Sequence, residues 1–329
     1  MDASTANRAA VALVRIHETV SASAMPVESS RAWPELSPGG WRDTYDTLHM
    51  WAQIVGKTRL ALAPMENHWW QVALYVTVRG LATSPMPHGN GTVAVEFDFI
   101  SHELIVQTGA GAKRSFALTA MTVADFFGQY LSTLRGLGID PAIYPSPVEV
   151  QTAIPFAQDT EHAGYARDAA HDCWQILVNT QRVMTRFRSR FTGKQSPIHF
   201  FWGSFDLAAT RFSGRRAPRH PGGVPHCPDR VMIEAYSHEC SSCGFWPGDE
   251  AHPPAFYAYA YPQPPGYAER AVEPAAARYD LGAREFLLPY EALRAMAEPD
   301  EMLLRFLQTT YEAAADLGRW DRAALDRAT

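Results

Sequence analysis

The chain has 329 residues, a formal net charge of −6, a hydrophobic content of 47% and four cysteines, a length that suits two modules or one duplicated unit. Its acidic balance argues against nucleic acid as a partner, since neutralising phosphates takes a basic surface. No apolar run approaches the ~20 residues that cross a bilayer, so no membrane is expected, and too few cysteines for a disulfide scaffold point to a cytoplasmic protein.

Residues 5–21 carry a weak helical stripe of Ala9, Leu13, Ile16 and Val20, interrupted as a secretion signal by Arg15, His17 and Glu18. Pro26 ends it, and residues 1–40 read as an extension and linker. From Asp43 a helix places Tyr45, Leu48, Ala52, Val55 and Leu62 on one side, with His49 and Gln53 one turn apart beside them. Pro64 stops it. Residues 68–79 alternate as a strand, with His68, Trp70, Val72, Leu74, Val76 and Val78 on one face. Gln71, Tyr75, Thr77 and Arg79 share the other. Strands are expected at 93–101, 102–108 and 113–118, and a helix over 122–137 closes a first unit at 41–138. Pro141, Pro145, Pro147 and Pro155 make 139–161 an irregular connection.

The second unit, 162–329, opens with a helix over 163–191 carrying Cys173, Ile176, Leu177, Thr180, Met184, Phe187 and Phe191 on one stripe. A strand over 199–210 and a long loop from Gly214 to Cys227 come next. After them the pattern gives strands at 230–238, 255–261 and 285–288, then helices covering 290–318, with Pro299 suited to a first turn. Short segments of the two units match in order. His49 to Ile54 parallels His171 to Ile176, His68-Trp69-Trp70 parallels His199-Phe200-Phe201, and Ser101-His102-Glu103 parallels Ser237-His238-Glu239. The expected fold class is α+β: internally duplicated α-β-β-β-β-α units, antiparallel sheets with helices packed on one face, related by a pseudo-two-fold.

The candidate site lies in the second unit. Trp202, Ser204, Asp206 and Thr210 share one face of the expected strand, and a serine and a carboxylate beside a large aromatic suit a pocket wall better than a core. A solvent-facing sheet surface explains the same pattern. Asp206 paired with His238, or with Glu239, can serve as acid and base. Arg211 and Arg215 can hold an anionic group, and Trp246 lies in a tight aromatic turn that can cover a pocket mouth. The ligand expected is a small molecule, anionic and aromatic, with no cofactor. The alternatives are a non-catalytic metabolite-binding module using the same pocket and a divalent-metal enzyme built on His171, His199 and His238. Packing explains those histidines better, since His199, like His68, is in phase with an apolar core face. Cys240 and Cys243 form a lone CxxC without the second pair that zinc requires.

Several longer runs carry a family resemblance: Asn67-His68-Trp69-Trp70, His199-Phe200-Phe201-Trp202-Gly203-Ser204-Phe205-Asp206-Leu207, Arg211-Phe212-Ser213-Gly214-Arg215, Tyr236-Ser237-His238-Glu239, Gly244-Phe245-Trp246-Pro247-Gly248 and Phe256-Tyr257-Ala258-Tyr259-Ala260. From about Trp33 to the C-terminus the chain resembles the bacterial domain-of-unknown-function family 5996. The resemblance implies membership and brings no activity, cofactor or site. Cys240 and Cys243 fall outside the family pattern.

Overall fold

In a computed structural model, which describes residues 33–36, 38–249 and 251–327, the helix expected from Asp43 is α1, Pro38–Leu62. Its three-to-four spacing buries Trp41, Tyr45, Leu48, Trp51 and Val55. The expected helix over residues 5–21 lies outside the described residues.

Beyond Pro64 the chain departs from its pattern. Residues 68–72 are not strand: Asn67–Val72 is a 3₁₀ helix in which His68 and Trp69 hold left-handed φ values of 58° and 62°. Aromatic and polar residues alternate there as they would in a strand, and side-chain alternation alone does not reveal two backbone reversals. Short strands β1 (Tyr75–Val76), β2 (Gly80–Ala82) and β3 (Met86–His88) precede β4 (Gly91–Asp98), β5 (Glu103–Thr108) and β6 (Lys113–Ala117). All pair antiparallel in the order β1-β2-β4-β5-β6, with β3 also on β4. Helix α2, Val123–Arg135, starts at Thr122, whose hydroxyl accepts from the Asp125 amide. Its Phe126 stacks on Trp51 at 4.6 Å and packs on Phe97 and Phe116, so α1 and α2 cover one face of this sheet.

Helix α3, Arg167–Ser189, buries Cys173, Ile176, Leu177, Thr180, Met184 and Phe187, the expected stripe. It leads to a second antiparallel sheet of β7 (His199–Phe201), β8 (Asp206–Arg216), β9 (His238–Trp246), β10 (Ala255–Tyr261), β11 (Arg278–Asp280) and β12 (Glu285–Pro289), ordered β11-β12-β10-β9-β8-β7. Two expectations need correction here. The strand over 199–210 is a hairpin, its turn closed by Phe205 at φ 58°, so that His199 faces Ala208. The strand over 230–238 is a short helix, α4 (Asp229–Ala235), entered from Pro228 with an acid in its first turn. His238 therefore begins a strand and does not end one. Helices α5 (Tyr290–Arg294), α6 (Pro299–Leu317) and α7 (Arg322–Leu325) finish the chain, with Pro299 in the first turn of α6.

The described residues from Trp33 on form one compact unit, an α+β fold. The two sheets meet at one backbone exchange, where Leu74 and Phe200 donate to each other's carbonyls at 2.9 and 2.8 Å. Both halves run helix, antiparallel sheet, helix, but the histidines matched in sequence have different surroundings. His49 is buried while His171 is partly exposed, and His68 sits in a 3₁₀ turn while His199 sits in a strand. Duplication thus remains a pattern of the sequence. No helix among the described residues is long and apolar enough to cross a membrane.

Candidate active site

Strand register decides which side chains meet. Across β8, β9 and β10, Thr210 lies beside Ser242 and Ser242 beside Tyr259, while Ala208 lies beside Gly244 and Gly244 beside Tyr257. Leu207, Phe245 and Phe256 point to the other, fully buried side, where α3 and α6 pack. The Thr210–Tyr257 face is the floor of a cavity of about 810 Å³. Its other walls come from α1, the 3₁₀ helix, residues 144–149 and α4.

At the deep end, the Asp206 carboxylate accepts hydrogen bonds from the hydroxyls of Ser204 and Tyr257. Gly244 makes room for the tyrosine: a Cβ there would lie 2.1 Å from the Leu207 carbonyl and 2.6 Å from the Tyr257 hydroxyl. Burial pushes the Asp206 carboxyl up, and the two hydroxyl donors hold it down. Burial first, and then the Asp206 charge, keeps the Tyr257 phenol well above its ordinary range.

Glu149 shares this end. The residue as a whole is exposed and holds a left-handed φ of 57°, but its carboxyl group lies against Gly203, where a Cβ would sit 2.3 Å from its Oε1. Desolvation, and secondarily Asp206, raise this carboxyl to about 7, with Lys57 pulling the other way. The Lys57 side chain is buried, with Nζ 5.1 Å from the centre of the Tyr144 ring and 5.4 Å from that of Trp202. Desolvation lowers its amine to about 8, against the attraction of Glu149.

One face of α1 holds this arrangement in place. His49 Nε2 donates to the Gly203 carbonyl at 2.8 Å, and burial lowers the ring to about 4, so it stays neutral. One turn on, Gln53 donates to the Val148 carbonyl at 2.7 Å and accepts from the Val148 amide at 2.9 Å. This pins the segment that carries Glu149. One turn further stands Lys57. Trp202 is fixed through its indole N–H, which donates to the Val72 carbonyl at 2.8 Å. At the far end His68 donates from Nδ1 to the Ala235 carbonyl at 3.0 Å and accepts from Lys194 Nζ at 2.8 Å, which ties the 3₁₀ helix to α4.

A family model described as a family of unknown function, DUF5996, matches residues 33–327. The chain belongs to that family. No curated protein and no solved structure matches it, and DUF5996 membership carries no activity with it. The matched span includes every cavity residue named above.

Among the residues this DUF5996 chain offers from sequence, Trp202, Ser204, Asp206 and Thr210 line the cavity. His238 does not reach Asp206: its Nδ1 lies 3.1 Å from the Ser237 hydroxyl and its ring packs edge-on against His68 at 5.7 Å. Glu239 accepts from Ser213 and Arg215, and Arg215 also donates to the Gly318 carbonyl at the end of α6, away from the cavity. Arg211 points to the helix-covered side, its guanidinium 3.5 Å from the Phe187 ring and 4.2 Å from Tyr311. No anion reaches it there. Trp246 packs near His252. His171 is on α3 beside Asp172, whereas His199 is enclosed by Trp70, Tyr75 and Phe201. Among the described residues no group of three or more His, Cys, Asp or Glu side chains is placed to hold a metal ion. Cys240 borders the cavity, but Cys243 faces the other side, 3.6 Å from the Ala209 carbonyl.

Sequence reasoning missed Lys57 and Glu149. For Lys57 a signal existed: His49, Gln53 and Lys57 recur every four residues along one face of a recognised helix. Glu149 has no such signal, because the proline-rich segment around it has no periodicity from which to place a side chain.

Proposed function

We propose that this protein is a small-molecule enzyme whose cavity performs proton-transfer chemistry, with Glu149 as the group that gives and takes the proton. The observation that carries the reading is the meeting of two carboxyl groups and an amine, Glu149, Asp206 and Lys57, at one end of an aromatic-walled cavity. A carboxyl near 7 is half-protonated at neutral pH, the condition under which a general acid or base works best in both directions. Clustering of perturbed titratable groups in a cleft is more common at sites of chemistry than elsewhere. Desolvation keeps Glu149 high, and Asp206, held by Ser204 and Tyr257, adds to it. Trp202, Trp70 and Tyr257 offer ring faces to a flat ligand, and Lys57 takes over the anion-attracting role expected of Arg211 and Arg215. Four unpaired cysteines suit a reducing compartment, which supports a cytoplasmic placement.

The rival reading is a binding module using the same cavity, and one comparison separates them. Aromatic carboxylates and carbonyl compounds are screened by thermal shift and by turnover against the parent, Glu149→Gln and Asp206→Asn. An enzyme keeps binding and loses turnover in Glu149→Gln. A binding module turns nothing over in the parent, and Asp206→Asn abolishes its thermal shift.

A further inference from the structure

The chain has 29 basic residues and only three are lysines: Lys57, Lys113 and Lys194. Surface charge, ion pairs and carbonyl contacts are otherwise left to arginine. Of the three, only Lys57 stands in the cavity wall, while Lys194 lies behind it against His68. An arginine serves as well wherever only positive charge is needed, but its guanidinium does not lose its proton and is no nucleophile. Lys113 is exposed and needs no such explanation, so the question falls on a lysine held inside the fold.

Lys57 is poorly compensated as a structural cation. It is 3% exposed, and among the described residues it makes no ion pair within 4 Å; its company is two ring faces at 5.1 and 5.4 Å and the Glu149 charge. The buried Arg59 fares better, donating to the Gln71 carbonyl and to Ser84. A buried ammonium with so few partners costs stability. An amine that is neutral part of the time, facing a cavity, costs far less and can react.

We propose that Lys57 is an amine nucleophile that captures an aldehyde or ketone in the cavity as an imine, with the Glu149 carboxyl moving the protons. The inference rests on the reading of the cavity as a site of proton transfer and names its substrate class. The nitrogen lone pair forms the bond to the carbonyl carbon while the π electrons move to oxygen. Glu149 supplies a proton to that oxygen and, as carboxylate, takes one from nitrogen. Glu149 passes the proton it took from nitrogen on to that oxygen, which leaves as water while the nitrogen lone pair closes the double bond, and the Glu149 carboxylate then takes the remaining N–H proton to leave the imine. In sum, amine plus carbonyl gives imine plus water, with no oxidant or reductant. At pH 8 about half of the Lys57 amines carry a free lone pair, against well under about 1% for an exposed lysine.

The test uses the full chain, 4-carboxybenzaldehyde as a flat anionic carbonyl probe, and cyanoborohydride to fix any imine as a stable secondary amine. Peptide mapping reads each lysine separately, and exposed Lys113 is an internal control. Lys57 should be modified at least about tenfold faster than Lys113 at pH 7.5. Glu149→Gln should slow capture at Lys57 and leave Lys113 unchanged, and Lys57→Met should remove the fast site. Labelling of Lys57 no faster than Lys113 in the folded parent overturns the proposal. If that happens while the parent still turns over a screened substrate and Glu149→Gln loses that turnover, the imine falls and the acid–base reading survives. With neither label nor turnover, both fall.

Discussion

The Ser204–Asp206–Tyr257 cluster makes a prediction whose size changes with pH. Tyr257→Phe removes one of two hydroxyl donors to a buried carboxyl and leaves the ring in place over Gly244. When Asp206 is protonated, the lost contact is a neutral hydrogen bond worth about 1 kcal/mol; when Asp206 is ionised, it is a charge-assisted one worth about 2–3 kcal/mol. The direction follows from linkage. Asp206 titrates higher in the fold than an ordinary aspartate at 3.8, so between those two values the native state binds more protons than the unfolded chain. Stability therefore falls as pH rises through that window. Tyr257 holds the carboxyl down, and its removal raises the folded value further and deepens the fall. Urea denaturation of parent and Tyr257→Phe from pH 4 to pH 9 should show a penalty that grows with pH, from about 1 to about 2 kcal/mol or more. For a unit of this size the larger figure corresponds to a melting point lower by about 4 °C. A penalty that is flat, or largest in acid, would refute the assignment of Tyr257 as a donor to a titrating Asp206.

Three other outcomes follow from the same geometry. Glu149 should titrate near 7 in a carboxyl-labelled NMR experiment; Asp206→Asn, which removes a neighbouring charge, should lower that midpoint, and Lys57→Met should raise it. Gln53→Ala strips both backbone partners from Val148 and should cost about 1–3 kcal/mol, with faster amide exchange confined to residues near 148. The thiols of Cys240 and Cys243 are pushed up to about 12 by burial and that of Cys227 to about 11. Iodoacetamide at pH 8 should therefore label Cys227 first in the native protein, and the other three only on unfolding.

How far the sequence reached depended on whether the signal was periodic. Trp51, Val55 and Phe187 recur at helical spacing, and α1, α2, α3 and α6 were legible from that alone. Backbone reversals were not. His68, Trp69 and Phe205 take left-handed φ values without being glycine or asparagine, so nothing in their identity announces the turns at 68–72 and 202–205. Those turns decide the pocket. With Phe205 reversing the chain, Asp206 lands opposite Phe201 and its carboxylate meets Tyr257, while His238 is left beside His68. Helix α4 carries Val231 and Ile233, side chains equally at home in a strand, and its helical sign is Pro228 followed by Asp229. The role expected of Arg211 failed on parity: it alternates with Thr210 on β8 and so faces the helices.

The seam between the two sheets has a thermodynamic consequence. Only the Leu74–Phe200 exchange joins them strand to strand among the described residues, and the Trp202–Val72 bond lies close by. The cavity lies beside this join, with Asp206, Ser242 and Tyr257 of the second sheet on one wall and α1, the 3₁₀ helix and α4 on the other. Any molecule that touches both walls acts as mortar between them. Occupancy and cohesion are then one equilibrium: a ligand at a hundred times its dissociation constant adds about 2.7 kcal/mol to the stability of the assembled state. The empty protein should be the form that proteases cut, and resistance to digestion becomes a means of finding the natural ligand without knowing the reaction.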